Sequence, residues 1–469
     1  FLAGTIAVGT IDQALLSAIR VKHAHLRAAC LLRHFLVVDE VHASDAYMAR
    51  LLEHLLSFHV QAGGHALLLS ATLGAAQRTR FLQGWRANPP SFADAVGAPY
   101  PALWSEAVRG ALAQPDNGRS RSVGMTLVDE ISDPQAIAAR AITAARAGAK
   151  VLVVRNLRRD AIAVFRAILE QNGAALLFSC RGAPTLHHGR FAREDRALLD
   201  AAIQAALGKE RPNGGLIAIG TQTLEQSLDI DADLLITDLC PADVLLQRLG
   251  RLHRHERPRP VGFERPNAVV LAPDDLAALA ERGRHGMGFF GPQGNKTAYP
   301  YPDLLALEAT RRLIADHPAW SIPSMNRLLV ENVTHPEARA ALLDKLEPRA
   351  VWAEAVAALE GRGYAYVAEA RHAKLPFDLS FADPRVVFPN DERLGSRLGA
   401  RDLLVVFDPP VAGPFGAPIS QIALPDHWAR GIDPTTEMTP RISHDSKGVL
   451  AFSVQSAIFE YSTQGLSTT

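Results

Sequence analysis

Short apolar runs separated by amphipathic stretches recur in two blocks along this chain, and that alternation narrows the fold more than any other feature. Within residues 1–75, segments 6–8, 35–38 and 66–69 read as strands, and segments 12–32 and 45–60 carry 3.6-residue periodicity. Strands interleaved with helices imply a parallel, doubly wound sheet with helices on its faces. From 88 to 133 the text turns Pro- and Gly-rich, as suits a connector. The alternation then restarts, with helices at 136–147, 159–171, 193–207 and 244–249. Strands are expected at 150–154, 174–178, 215–219, 234–237 and 268–271. Two such α/β units in series can form a cleft between their sheets. Beyond residue 275 the pattern weakens into mixed helices (303–315 and 350–360) and a more β-like tail that includes 402–407.

The expected organisation is therefore a first α/β unit over 1–88, a connector over 89–133 and a second unit over 134–275. A helical accessory region over 276–390 and a mixed α+β C-terminal region over 391–469 follow. The 49 basic residues balance 49 acidic ones, which excludes a globally basic nucleic-acid coat but not a locally basic groove. Cys30, Cys180 and Cys240 form no CxxC pair, which argues against a zinc site or a disulfide framework and fits a reducing cytoplasm. No apolar stretch reaches the ~18 residues of a membrane span. The chain opens on Phe1 inside what reads as continuous folded sequence, so a fragment of a longer protein is expected.

Chemistry concentrates at strand ends. Asp39-Glu40-Val41-His42 follows an apolar run, and paired carboxylates there suit a magnesium ion and an activated water, although a solvated turn is served equally well. Ser70-Ala71-Thr72 closes the next strand with two hydroxyls, or simply caps a turn. Thr10-Ile11-Asp12-Gln13 spells a capping box, and a capped helix start is also a site for a phosphate backbone. Gly220 and Thr221 lead from a strand into a polar loop that ends at Asp229, where backbone N–H groups could meet a phosphate and Asp229 a ribose. His188-Gly189-Arg190-Phe191 is a comparable turn with a basic and an aromatic group. In Gln247-Arg248-Leu249-Gly250-Arg251-Leu252-His253-Arg254, helical spacing predicts three arginines near one face, suited to phosphate oxygens or to a solvated basic stripe.

Taken in order, these residues resemble the motif series of a superfamily 2 helicase. Asp39 to His42 matches the DExH box, Ser70 to Thr72 the SAT motif, Thr221 to Asp229 motif V and Gln247 to Arg254 motif VI. The resemblance narrows to the CRISPR-associated helicase–nuclease of type I interference systems. Its further marks are Gly9 to Leu16, Lys22-His23, Leu26-Arg27, Leu186 to Arg196, Thr237 to Asp243 and Ser396 to Gly399. The resemblance implies two RecA-like domains, the first incomplete, and an ATP- and Mg2+-dependent translocase on single-stranded DNA. It implies a monomer recruited by an RNA-guided surveillance complex.

By the same resemblance Glu40 activates water, Asp39 holds Mg2+ through ATP, and Arg251 with Arg254 meets the γ-phosphate. His42, Asp229, Gln247 and Arg248 belong to the nucleotide side, and Ser70 with Thr72 couples hydrolysis to domain movement. Thr10, Asp12, Arg190 and Thr221 face nucleic acid. The Gly-x4-Gly-Lys-Ser/Thr phosphate loop, which precedes the DExH box in the family, does not occur. Gly291 to Thr297 has the wrong spacing and position to replace it, so weak ATP binding by this fragment is expected. His427, His444 and Asp445 faintly resemble the start of a metal-binding HD nuclease, with Ser446 where Gly is usual. A divalent transition metal is expected only with such a domain attached. The alternatives are another DExH-type DNA or RNA helicase and a non-catalytic nucleic-acid clamp.

Overall fold

The computed structural model describes residues 4–41, 46–84, 86–105, 112–113, 120–225, 228–273, 275–277, 288–290, 296–298, 301–377, 383, 402–425, 427–429, 431–433, 439–444 and 449–468. The first unit contains helix α1 (Ile11–Leu15), α2 (Ala24–Leu31), strand β1 (Leu36–Val38), α3 (Ala46–Gln61), β2 (Ala66–Leu68) and α4 (Ala75–Gln83). β1 and β2 pair in parallel, Leu36 opposite Ala66 and Val38 opposite Leu68. α3 packs through Tyr47, Met48, Leu51, Leu52, Leu55 and Leu56, the repeating spacing that puts one apolar stripe on a helix.

Three local expectations fail here. Ile6 and Val8 are not in a strand; they lie 87% and 86% exposed. The periodic stretch 12–32 is split, because the chain turns after Leu16 and His23 enters α2 with a left-handed φ of 65°. The capping box does not close either. The Thr10 side chain makes no capping bond, and the Gln13 Oε1 it would need accepts from Arg27 at 3.4 Å.

After a short helix α5 (Phe92–Gly97), the second unit comprises β3 (Arg121–Val128), α6 (Pro134–Arg146), β4 (Lys150–Val154), α7 (Arg158–Glu170), α8 (Arg193–Leu207), β5 (Leu216–Gly220), β6 (Leu234–Asp238), α9 (Ala242–Leu249), β7 (Asn267–Leu271) and β8 (Ala319–Ile322). They form one six-stranded sheet in the order β8-β3-β7-β6-β4-β5, parallel except that β8 runs antiparallel to β3. β4 and β6 are buried at every position, as central parallel strands are, and an apolar cluster covers each face.

Three boundaries differ from the sequence reading. β3 falls in the stretch read as connector, and β8 in the region read as helical. β3 alternates polar and apolar residues around Gly124, so it lacks the continuous apolar run that marks its neighbours. Residues 174–178 form a 3-10 turn, Ala174–Leu176, followed by a single bridge from Leu177 to Ile217.

Helices α10 (Leu304–Asp316), α11 (Asn326–Thr334), α12 (Pro336–Leu343) and α13 (Arg349–Ala373) follow. Ala370 and Ala373 of α13 return to the core of the first unit. The terminal unit pairs Leu403–Ala412 with Pro418–Leu424, then runs an antiparallel meander of Arg441–His444, Leu450–Val454, Ala457–Ser462 and Gly465–Thr468. It docks on the second unit at the segment between Thr185 and Asp195. Thr185 donates to Thr463 O at 2.6 Å, and the Tyr461 hydroxyl accepts from the Ala192 amide at 2.9 Å while donating to Asp195 at 2.7 Å. Gly465 has φ 79°, and a Cβ there would lie 2.4 Å from the His188 ring, so both backbone and space demand glycine.

Tyr461→Phe leaves the buried Ala192 N–H and the Asp195 carboxylate short of a partner. We expect a loss of about 1–3 kcal/mol, read as a lower midpoint in denaturant unfolding, because an unmet buried polar group carries its full desolvation cost.

Candidate active site

β1 delivers Asp39 and Glu40 to the surface between two buried valines, Val38 and Val41. The flanks are tied down: the Val41 amide donates to Leu69 O at 3.1 Å and the Leu69 amide to Val38 O at 2.8 Å. Between them Glu40 adopts φ 50°, a conformation disfavoured for a side-chain-bearing residue by roughly 1–3 kcal/mol. Its amide donates to Asp39 Oδ1 at 3.0 Å, which closes the turn locally. His42 lies outside the described residues.

One strand over, Ser70 Oγ accepts from the Thr72 amide at 3.2 Å. The Thr72 hydroxyl is buried and has no hydrogen-bond partner among the described residues.

The second unit supplies the arginines, though not as one helical stripe. α9 stops at Leu249, and Gly250 caps it. Arg248 therefore points inward while Arg251 and Arg254 leave the helix on a loop. That loop is held as an extra bridge: Ala232 N donates to Arg251 O at 2.8 Å and His253 N to Ala232 O at 3.0 Å. Arg248 is wholly buried and donates to Glu225 Oε1 (2.8 Å), Thr237 Oγ1 (2.6 Å), Asp238 O (3.0 Å), Asn156 Oδ1 (2.8 Å) and the Tyr301 hydroxyl (3.0 Å). Gln247, beside it, is half-buried.

Arg251 donates to Leu228 O at 2.6 Å and Glu225 O at 2.8 Å. Arg254 pairs with Asp229 at 2.6 Å in an exposed bridge. Burial pushes the Arg251 guanidinium below its usual range, and repulsion from Arg254 adds to this, while Asp229 and Glu40 favour its charge. That last interaction joins the two units: the Glu40 carboxylate stands near enough to Arg251 to act on it. Burial also opposes the Asp229 carboxylate, but hydrogen bonds and charge from Arg254 and His255 hold it below its usual value.

The residues assigned to nucleic acid are spread more widely. Thr10 is exposed at the start of α1, with Asp12 half-buried after it. Thr221 is buried and its amide donates to His187 O at 3.1 Å; the turn behind it, Gln222–Leu224, is too short to offer a helix start to a phosphate. Arg190 stands at the seam with the terminal unit, 3.8 Å from Asp402 and 5.6 Å from the Trp428 ring centroid. His187 and His188 anchor this seam. His187 Nε2 donates to Asp200 at 2.8 Å, which leaves Nδ1 to accept from the Thr223 hydroxyl at 2.8 Å. His188 Nε2 donates to Gln464 O at 3.0 Å.

His427 is exposed beside Trp428, His444 ends the strand Arg441–His444, and Asp445 lies outside the described residues. Among the described residues no group of three His, Cys, Asp or Glu side chains is placed to hold a metal. The string from Gly291 to Asn295 and the residues from Ser396 to Gly399 also lie outside the described residues.

Sequence reasoning overlooked Asn156 and Tyr301, the partners of Arg248, and an acidic ladder at Asp229, Asp231 and Asp233. Asp231 and Asp233 are buried and pair with Arg257, Arg259 and Arg211. Its signal was present: acids at every second position, matched by the cations of residues 254–259.

Residues 147–257 match the family model for the C-terminal part of the CRISPR-associated nuclease/helicase Cas3. The CRISPR-associated endonuclease/helicase Cas3 of Escherichia coli is 40% identical over 284 residues, which cover 58% of this chain and 31% of that protein. The Thermus thermophilus protein of the same description is 35% identical, covering 57% of this chain and 32% of the relative. The chain thus spans about a third of the length of the curated relatives it matches. In fold it is similar to T. fusca Cas3 crystallised with AMPPNP, with a TM-score of 0.74 at 24% identity, covering 98% of this chain and 57% of that one.

The inward and outward arginines should separate cleanly in stability. Arg248→Met strands the buried Glu225 carboxylate and should cost about 3–5 kcal/mol in urea unfolding, whereas Arg254→Ala at its exposed pair should cost less than ~1 kcal/mol.

The histidine seam predicts a pH dependence. Burial, aided by Arg196 for His187 and by Arg158 for His188, pushes the folded values down from 6.5 to about 4 and about 3. Above pH 6.5 neither folded nor unfolded chain is protonated at these rings, and their contribution is whole. As pH falls from there toward 4 the unfolded chain binds protons that the folded rings refuse. Stability should drop by up to ~1.4 kcal/mol per pH unit per histidine. Urea midpoints across that range should show a shallower fall in His188→Gln.

Proposed function

We propose that the chain, similar over residues 147–257 to the C-terminal part of the CRISPR-associated nuclease/helicase Cas3 and 40% identical over 284 residues to the Escherichia coli protein, is a member of that family and the motor region of an ATP-driven translocase on single-stranded DNA. The observation that carries the reading is the exposed Asp39–Glu40 pair that β1 presents between two buried valines, with Glu40 held at φ 50°; the Arg251 guanidinium of the second unit feels the Glu40 charge. A hydrolytic water needs a base on one side and positive charge on the transferred group from the other. Asp39 and Glu40 are exposed at a strand end, and the charge of Glu40 acts on Arg251 of the second unit, so the residues fit a magnesium nucleotide. When bound, that nucleotide supplies the phosphoanhydride to be cleaved and the metal that bridges its phosphates.

Asp39 would hold the metal. Glu40 would orient water and take its proton on a carboxylate oxygen, the turn at φ 50° fixing the carboxylate's approach. Arg251 and Arg254 are parked on carbonyls and on Asp229. An exposed pair is worth only ~0–1 kcal/mol, so a phosphoryl group would outcompete Asp229 for Arg254, and Arg251 would exchange its carbonyl partners for the developing charge. Ser70 and Thr72, whose buried hydroxyl has no hydrogen-bond partner among the described residues, would couple hydrolysis to domain movement. Thr10, Asp12, Arg190 and Thr221 would guide the strand, with Gln247, Arg248, Asp229 and His42 on the nucleotide side.

The partner we propose is an RNA-guided surveillance complex. The fold supports this, being similar at a TM-score of 0.71 and 23% identity to a chain from a CRISPR RNA-guided surveillance complex in a pre-nicking state. Action as a monomer in a reducing cytoplasm accords with three free cysteines and with the absence, among the described residues, of a helix long and apolar enough to cross a membrane. No nuclease step is assigned to His427, His444 and Asp445.

In the full-length protein, Glu40→Gln should lower DNA-stimulated ATP turnover by at least ~100-fold while leaving nucleotide binding intact, since it removes only the proton acceptor. Turnover at the wild-type rate would refute the role of Glu40. Stronger stimulation by RNA than by single-stranded DNA would refute the choice of strand.

A further inference from the structure

Glu331 is a fully buried carboxylate that the hydrolytic site does not use. It projects from α11, and its Oε1 accepts from the Ala75 amide at 2.8 Å. Ala75 is the first residue of α4, directly behind Ser70 and Thr72. Burial pushes the Glu331 carboxyl up, against the Ala75 amide, Arg78, His335 and Arg327, which favour its charge; its Oε2 has no hydrogen-bond partner among the described residues. One turn along α11, Thr334 presses on Gly74: a Cβ there would lie 2.4 Å from Thr334 Oγ1. One turn the other way, Arg327 stands 5.4 Å from the Tyr100 ring centroid, and the Tyr100 hydroxyl donates to Ala71 O at 3.0 Å. α11 therefore grips both ends of the hydroxyl loop of the first unit.

The opposite face of α11 is of another kind. Leu329, Val330 and Val333 share the large apolar core with Leu245, Leu246 and Leu249 of α9, the helix that carries Arg248 and leads to Arg251. Close-packed apolar faces have no cheap way to slide. A few polar contacts around an incompletely satisfied carboxylate do have an alternative, because opening them lets water complete the missing bond.

We infer that α11 transmits movement between the Ser70–Thr72 loop and the arginine-bearing helix α9, with Glu331 the positioning residue that makes and releases the contact. The inference rests on the helicase reading and adds the element that links its two halves. α11 stays with the second unit through its apolar face. Nucleotide-driven movement of the first unit is registered where Glu331 meets Ala75.

The test compares Glu331→Ala, Glu331→Gln and Gly74→Ala in the full-length protein. ATP turnover is measured with and without single-stranded DNA, together with nucleotides travelled per ATP. In Glu331→Ala, KM for ATP should stay within about twofold of wild type, while DNA stimulation and travel per ATP fall about tenfold, the scale of one lost charged hydrogen bond. Glu331→Gln keeps an acceptor oxygen and should recover most of the loss. Gly74→Ala, which forces the same contact apart from the other side, should repeat the loss, and it carries the test if Glu331→Ala does not fold. Wild-type coupling in Glu331→Ala or Gly74→Ala, or a glutamine no better than alanine, would overturn the inference.

Amide hydrogen exchange at Ala75 needs no turnover. Exchange about tenfold faster in Glu331→Ala is expected, and unchanged exchange overturns the latch by itself. A wild-type protein without DNA-stimulated turnover sinks the helicase reading instead.

Discussion

Arg248 spends its hydrogen-bonding capacity inside the second unit, on Glu225, Thr237, Asp238, Asn156 and Tyr301. Those partners come from the loop after β5, the end of β6, the loop after β4 and the entry to α10. One buried fork of donors thereby ties together four segments of the unit. Such a site is not a source of net stability, since the desolvation of the charges offsets much of their attraction. What it supplies is a single arrangement, because any shift strands a buried carboxylate. The placement of Arg251 beside Glu225 O and Leu228 O, and so its approach to Glu40, follows from this fixed frame.

The acidic ladder extends the frame outward. Asp231 Oδ1 accepts from the Arg254 amide at 2.8 Å, and Asp233 receives Arg211 and Arg259. The arginine loop is thus held by its backbone as much as by its side chains. This leaves the Arg251 and Arg254 guanidiniums on weak, replaceable partners while their Cα positions stay fixed. The proposed exchange of one anion for another at every cycle would need that combination.

How far the sequence revealed all this depended on whether the signal was local. The central strands β4 and β6 are continuous apolar runs and could be placed from the chain alone, as could the turn bearing Asp39 and Glu40. β3 and β8 could not, because a strand that alternates around a glycine looks like loop until β7 and β8 are known to lie on either side of it, and the short edge strand β8 is defined only by its pairing with β3. The three arginines look equivalent as text. Their separation into one buried hub and two surface groups depends on where α9 ends, and that is settled by the bridge from Ala232 to Leu252. The role of Asn156 is fixed by contact with a residue 92 positions away and leaves no periodic trace.

The ladder has a consequence for how this molecule looks to a distant polyanion. The run of cations from Arg254 to Arg259 is matched nearly charge for charge by Asp229, Asp231 and Asp233. Seen from beyond a Debye length of about 8–10 Å, the run is close to neutral, in keeping with a chain of zero formal charge. On the proposed function, capture of a nucleic-acid strand by this region would be a short-range event, governed by fit once the strand arrives and little accelerated by long-range attraction.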